Sequence, residues 1–260
     1  MMNKQLISLQ LFSVRDYTAK DFRGTLRKVA AMGYQGVEFA GYGDMTAQEM
    51  KAFLAECGLK PIGSHVPYKM LLEKMPEVIE YQQVIGNPYV VCPGAPMHTR
   101  DDYTAMAETF NRFGEACKQA GLLFGYHNHS HEFQAFDSPT QTGKKDIGYD
   151  LLLAGAQKDL VFFEMDTCWV SAAGFDPKAY CANYPGRFRL AHIKDYLDQR
   201  DEKGRVTQTD VGKGAMDFPA LIPALEANGT EYMIIEQEGG VGESIDYVAR
   251  SLENLKGLLK

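Results

Sequence analysis

Residues 7–40 read ISLQLFSVRDYTAKDFRGTLRKVAAMGYQGVEFA, and this stretch decides the fold. Ile7–Phe12 is a short β-rich run. Residues 20–32 place Phe22, Leu26, Val29 and Ala30 at the spacing of one helix face. Gly33 stands where a helix C-cap belongs, because a residue without a side chain accepts the left-handed conformation that ends helices. Gly36-Val-Glu-Phe-Ala40 is then a second strand. Strand, helix and strand in this order make a βαβ unit, whose two strands lie parallel.

The alternation repeats outward from there. Thr46–Cys57 is predicted as a helix, with Thr46 as N-cap, Glu49 completing a capping box and Gly58 ending it. Lys60–His65 is a third strand, residues 69–85 a helix and Tyr89–Cys92 a fourth strand. Helix 101–120 ends at Gly121, before a fifth strand at Leu122–Asn128. Helix 145–156 leads to strand Leu160–Asp166, and a less regular segment 175–186 leads to strand Arg189–Lys194. A polar loop 196–214 precedes helix 217–228. Asn228-Gly229 turns into the eighth strand, Tyr232–Gln237, and a helix covers about 243–258. Eight strands in 260 residues predict an α/β chain closed as a (β/α)8 TIM barrel, one domain over 1–260. An open doubly wound sheet would advertise a glycine-rich phosphate loop after an early strand. Neither G-x-G-x-x-G nor G-x-x-x-x-G-K-[ST] occurs, although Gly212-Lys-Gly214 superficially suggests phosphate binding.

Composition narrows the function. Hydrophobic residues at 45% and charged residues at 23% describe a packed globule rather than a disordered chain. Lys and Arg number 27 against 34 Asp and Glu, a net charge of −7, and no basic cluster is present to track phosphates, so nucleic acid is not an expected partner. No apolar run approaches the roughly 18 residues of a membrane span, and the first residues lack the continuous apolar core of a signal peptide. The five cysteines (57, 92, 117, 168 and 181) are scattered and form no CxxC, which fits a reduced, cytoplasmic protein.

In a (β/α)8 barrel, chemistry collects at the C-terminal ends of the strands. The second strand carries Glu38 and the third ends at His65. The fifth ends in Tyr126-His-Asn-His-Ser-His-Glu132, the sixth in Phe163-Glu-Met-Asp166, the seventh in His192-Ile-Lys194-Asp195 and the eighth in Glu236-Gln-Glu238. Glu132, Asp166, His192 and Glu236 offer three carboxylates and an imidazole, a set suited to one divalent metal ion: Mn, Mg, Co or Zn. The lack of cysteine ligands argues against a closed structural zinc site. His127 or His129 could replace Glu132. Each residue also has a plainer reading. Asp166 could cap the next helix, His192 could be a satisfied core residue, and Lys194 and Asp195 could pair at the surface. Glu38 and His65 stand between substrate contact and structural hydrogen bonding. Trp169 reads as a pocket wall facing the C–H side of a sugar, and Glu238 as solvated.

Several motifs carry a resemblance: Ser8-Leu-Gln-Leu-Phe-Ser-Val-Arg15, Gly33-Tyr-Gln-Gly-Val-Glu38, Tyr126-His-Asn-His-Ser-His-Glu-Phe133, Met165-Asp-Thr-Cys-Trp169, Ala191-His-Ile-Lys-Asp195, Gly212-Lys-Gly214 and Ile235-Glu-Gln237. In this order the chain resembles sugar phosphate isomerase/epimerase-like proteins of the xylose-isomerase-like TIM-barrel superfamily, and is similar to ketose 3-epimerases and inosose dehydratases. The resemblance implies one divalent metal held by Glu132, Asp166, His192 and Glu236, with Glu132 and Glu236 as the acid/base pair. Substrate contacts are expected from Glu38, His65, His127, His129, Trp169 and Lys194. The expected activity is that of a sugar isomerase or epimerase moving a proton alpha to a carbonyl through an enediolate. The substrate is a small sugar or keto-sugar, with no membrane partner and room for a homo-oligomer. Where the family pattern has a histidine three residues after the aspartate, this chain has Trp169. That leaves a lyase as the alternative, either an inosose-type dehydratase or an enzyme cleaving a 3-oxo-glycoside. A non-catalytic sugar-binding barrel is the third reading.

Overall fold

The computed structural model describes residues 2, 6–202, 204 and 206–260. In chain order the strands are β1 (Ile7–Gln10), β2 (Gly36–Phe39), β3 (Lys60–His65), β4 (Tyr89–Cys92), β5 (Leu123–His127), β6 (Ala135–Asp137), β7 (Lys145–Ile147), β8 (Val161–Asp166), β9 (Phe188–Ile193), β10 (Asp195–Arg200), β11 (Val206–Thr209) and β12 (Tyr232–Ile235). Eight of them close into a barrel in the order β1-β12-β9-β8-β5-β4-β3-β2, and the neighbours pair in parallel. The remaining four form two antiparallel hairpins, β6-β7 and β10-β11, beyond the C-terminal ends of β5 and β9. Among the described residues, no helix is long and apolar enough to cross a membrane.

The barrel is the one expected, and its local signals behave as the sequence implies. Thr46 and Glu49 exchange both bonds of the capping box at the start of helix Ala47–Cys57, and Gly33 ends helix Phe22–Met32 in the left-handed conformation. Three expectations are corrected. The helix expected over 69–85 is two, Tyr68–Glu73 and Met75–Ile85. Pro76 opens the second, since a proline has no N–H to lose in a first turn and cannot continue a preceding helix. The helix expected from 145 starts at Gly148, because Lys145–Ile147 pairs with Ala135–Asp137. The polar loop 196–214 contains most of the hairpin β10-β11, whose side chains are mostly polar and exposed or half-buried and so leave no hydrophobic signal.

Strand alternation sorts the side chains into two cores. Val90, Phe124, Phe163, Ala191 and Met233 join the main core shared with the helices. Their neighbours in sequence Tyr89, Val91, Phe162, Leu190 and Ile234 join Leu6 and Ile62 in a second, separate cluster. This is the inside of the barrel at its lower end. Gly125 on β5 is part of the fit: a Cβ there would stand 2.4 Å from the Phe162 ring. Two residues further along β8, β9 and β12 the same inward face turns polar. Phe162 is followed by Glu164 and Asp166, Leu190 by His192 and Lys194, and Ile234 by Glu236.

Candidate metal and active site

Four strand ends bring the polar residues together. Register places Asp166 beside His192 and His127 beside Glu164. His127, Asp166, His192 and Glu236 each offer a ligand atom, and these atoms lie within 4.8 Å of one another. All four residues are buried. His192 Nδ1 is 3.0 Å from Glu236 Oε2, and its Nε2 is 2.7 Å from Glu38 Oε2. Lys194, wholly buried, places Nζ 2.8 Å from Glu236 Oε2, 2.7 Å from Glu238 Oε1 and 3.1 Å from Asp166 Oδ2. Asp166 also fulfils its plainer reading. Its Oδ1 accepts the Trp169 amide at 2.9 Å and so caps the helix Thr167–Ala172.

A layer of acid and imidazole underlies this group. Glu164 Oε2 lies 2.7 Å from His65 Nε2, 3.2 Å from His127 Nδ1 and 3.3 Å from His192 Nε2. Gln10 donates to Glu38 at 2.8 Å, and Gly63 leaves space for that carboxylate, since a Cβ there would meet Glu38 Oε1 at 2.4 Å. Glu38 is therefore a buried support under His192, and it is not among the residues that line the cavity above.

Burial and neighbouring charge set the protonation. Burial, with Glu164 adjacent, pushes the Glu38 carboxyl up to about 7, and burial pushes Glu164 up to about 6. Burial, reinforced by the His192 and His65 rings, holds His127 well below its ordinary value, so it is a neutral imidazole. Burial also opposes charge on His192 and Lys194, but the carboxylates around them outweigh it and raise both. The same attraction, from Lys194 and His192, overcomes burial at Glu236 and keeps it ionised.

These residues fit a divalent cation. Two imidazole nitrogens and two carboxylate oxygens converge, a donor set that suits Mn, Co or Zn. His127 Nδ1 and Asp166 Oδ2 are buried and make no well-directed hydrogen bond, though Glu164 and Lys194 stand 3.2 Å and 3.1 Å from them. A lysine ammonium already stands between Asp166 and Glu236, which marks where negative charge demands a cation.

The other expected site residues fall elsewhere. Glu132 is not in this group. Tyr126 donates to its Oε1 at 2.5 Å and the His129 amide to its Oε2 at 2.9 Å, and its neighbours are His129 and His131. The residue of the fifth strand that reaches the group is His127, one of the two alternatives open from sequence. Trp169 lies over Lys194, with Nζ 5.0 Å from a ring centroid, and does not line the cavity. His65, His127, His129, Glu236 and Glu238 do line it. The Gly212-Lys-Gly214 turn cradles no phosphate. The amides of Gly212, Gly214, Met216 and Tyr196 all donate to the Asp195 carboxylate, so this nest of N–H groups is filled by the chain's own anion. Asp195 is accordingly buried and makes no surface pair with Lys194. Glu164 escaped sequence reading. The signal was present: it sits two residues before Asp166 in one strand, hence on the same face.

The fold and this polar mouth define the class. The chain belongs to the Xylose isomerase-like TIM barrel family, whose sequence model matches residues 26–258. Among individual proteins, it is similar to the inosose dehydratase of Clostridium beijerinckii, at 22% identity over 181 residues. That match covers 64% of this chain and 58% of the dehydratase, so the chain spans less than two thirds of that relative's length. It is also similar to a sugar phosphate isomerase/epimerase of Parabacteroides distasonis, at 27% identity and a TM-score of 0.84 over 98% of this chain and 99% of that one. The fold alone is shared with the IOLI protein solved with a zinc atom, at 13% identity and a TM-score of 0.73 over 96% and 97% of the two chains.

Proposed function

We propose that the protein is a divalent-metal-dependent enzyme that moves a proton alpha to the carbonyl of a sugar or keto-sugar, with isomerisation or epimerisation as the outcome. The observation that carries this reading is the convergence of His127, Asp166, His192 and Glu236, of which His127 and Glu236 line the cavity. Those four residues would hold the cation. A divalent cation there supplies Lewis acidity, which makes a proton beside a carbonyl removable. Family membership, an epimerase-like structural relative and a neighbour solved with zinc all support the reading.

The chain's own groups then have distinct tasks. Glu236, kept ionised by Lys194 and His192 and open to the cavity, accepts the proton. His192 is oriented from behind by Glu38, which fixes which ring nitrogen faces the cluster. Lys194 neutralises Asp166, Glu236 and Glu238, and these three carboxylates engage its ammonium.

One observation favours elimination as a second outcome of the same proton removal. Glu132, the partner base that an epimerase would use on the opposite face, is tied to Tyr126 and the His129 amide and does not line the cavity. The similarity to inosose dehydratases points the same way.

Elemental analysis of purified protein is expected to find about one equivalent of divalent metal. In deuterated water the metal-loaded protein is expected to exchange an alpha proton of a ketose or keto-inositol, while Glu236→Gln stays folded and loses exchange about 10²–10⁴-fold. Product mass separates the outcomes, since isomerisation conserves mass and dehydration does not. Failure of every ketose and keto-inositol to take up deuterium would overturn the proton-transfer reading and leave a binding barrel.

A further inference from the structure

The cavity above the cluster is larger and less polar than a sugar alone requires. Its volume is about 730 Å³, within the range of about 300–1,000 Å³ that accommodates drug-sized molecules. Its two ends differ in chemistry. His65, His127, His129, Glu236 and Glu238 form one end, and Phe12, Tyr42, Val66, Met70 and Tyr81 form the other.

The two tyrosines show what the second end offers. Their rings stack, with centroids 4.1 Å apart and planes at 26°. The Tyr81 hydroxyl donates to the Met45 carbonyl at 3.1 Å, and the Tyr42 hydroxyl accepts from Gln82 Nε2 at 2.6 Å. Both hydroxyls are thus engaged by the protein, and the rings present carbon to the cavity. Phe12 and Met70 are each 40% exposed, large apolar side chains held in water beside the same space.

A free sugar can lay one C–H face on an aromatic ring but does not fill the second end. It carries hydroxyls around most of its ring, and each one pressed against the aromatic wall would lose water without gaining a hydrogen bond. The occupant that satisfies both ends is polar at one side and flat and apolar at the other. We propose that the sugar handled at the cluster arrives attached to an aromatic group, which lies against Phe12, Tyr42, Met70 and Tyr81. This rests on the sugar-site reading given above and adds the class of aglycone. The wall is mainly apolar and aromatic, with Lys74 and Glu77 also lining the cavity, so ring stacking and area burial supply most of the recognition.

The test compares phenyl with methyl β-glycosides of glucose, galactose, mannose and xylose, titrated calorimetrically into the metal-loaded protein. For at least one of these sugars the phenyl glycoside is expected to bind tenfold or more tightly than its methyl counterpart. The double variant Phe12→Ser/Met70→Ser changes only half-exposed side chains, so the fold is expected to persist, as a thermal melt will register. It is expected to lose most of the phenyl advantage and leave methyl glycoside binding unchanged. The inference is overturned if no phenyl glycoside outbinds its methyl counterpart, or if the advantage survives in the folded double variant. Metal content measured on the same samples keeps the two readings apart. A phenyl advantage in protein that takes up no cation overturns the metal reading and upholds the aromatic one, whereas metal-loaded protein without the advantage does the reverse.

Discussion

The lower and upper halves of the barrel interior are built from the same strands and solve opposite problems. Below, Phe162, Leu190 and Ile234 exclude water with hydrocarbon. Two residues further up, Glu164, His192 and Glu236 bury charge that must be answered by other charge. The lower layer needs only volume and apolarity, so many side-chain combinations would serve. The upper layer needs each oxygen and nitrogen in register, because a buried carboxylate without a partner is costly. Stability is therefore expected to be concentrated in the first and metal dependence in the second.

Substitutions can break that division or sharpen it. Phe162→Ala removes a large ring from the lower layer and is expected to cost about 3–5 kcal/mol in urea unfolding, with metal content unchanged. A loss of metal in that variant would show that the layers are not separable. Lys194→Met leaves Asp166 and Glu236 facing each other without their ammonium and is expected to cost the metal-free protein about 3 kcal/mol. Added Mn or Zn should restore much of that loss, and equal destabilisation with and without metal would contradict the cluster's proposed role. Glu38→Gln keeps a hydrogen-bond acceptor behind His192 but removes its charge. Metal affinity is expected to fall about 10–100-fold, read by competition with a chelator, while the unfolding midpoint moves little. Thr46→Ala, on the outer helix layer, is expected to cost about 1 kcal/mol whether or not metal is present.

Sequence reading captured the lower half of this scheme through periodicity and the upper half through chemistry, with different success. The barrel was legible because each βα unit carries its own punctuation, as at Gly33 and at the Thr46–Glu49 capping box. Asp166, His192 and Glu236 were legible because a polar residue closing an apolar strand is conspicuous. Glu164 was hidden because it lies inside the run Val161–Asp166, where a carboxylate surrounded by apolar neighbours draws the eye less than the terminal one. The choice between Glu132 and His127 could not be made along the chain. It depends on β5 ending at His127, after which the backbone turns into a short 3-10 helix, His131–Phe133, that delivers Glu132 to Tyr126. The hairpin β10-β11 was hidden for the reverse reason, since a strand pair standing clear of the core has no alternation to read.

Asp166 divides its two oxygens between unlike duties, one holding the first turn of a helix and the other facing Lys194. A change at that residue cannot be confined to either duty. Loss of the carboxylate would remove the cap of the Thr167–Ala172 helix, on which Trp169 sits, together with the oxygen that faces Lys194.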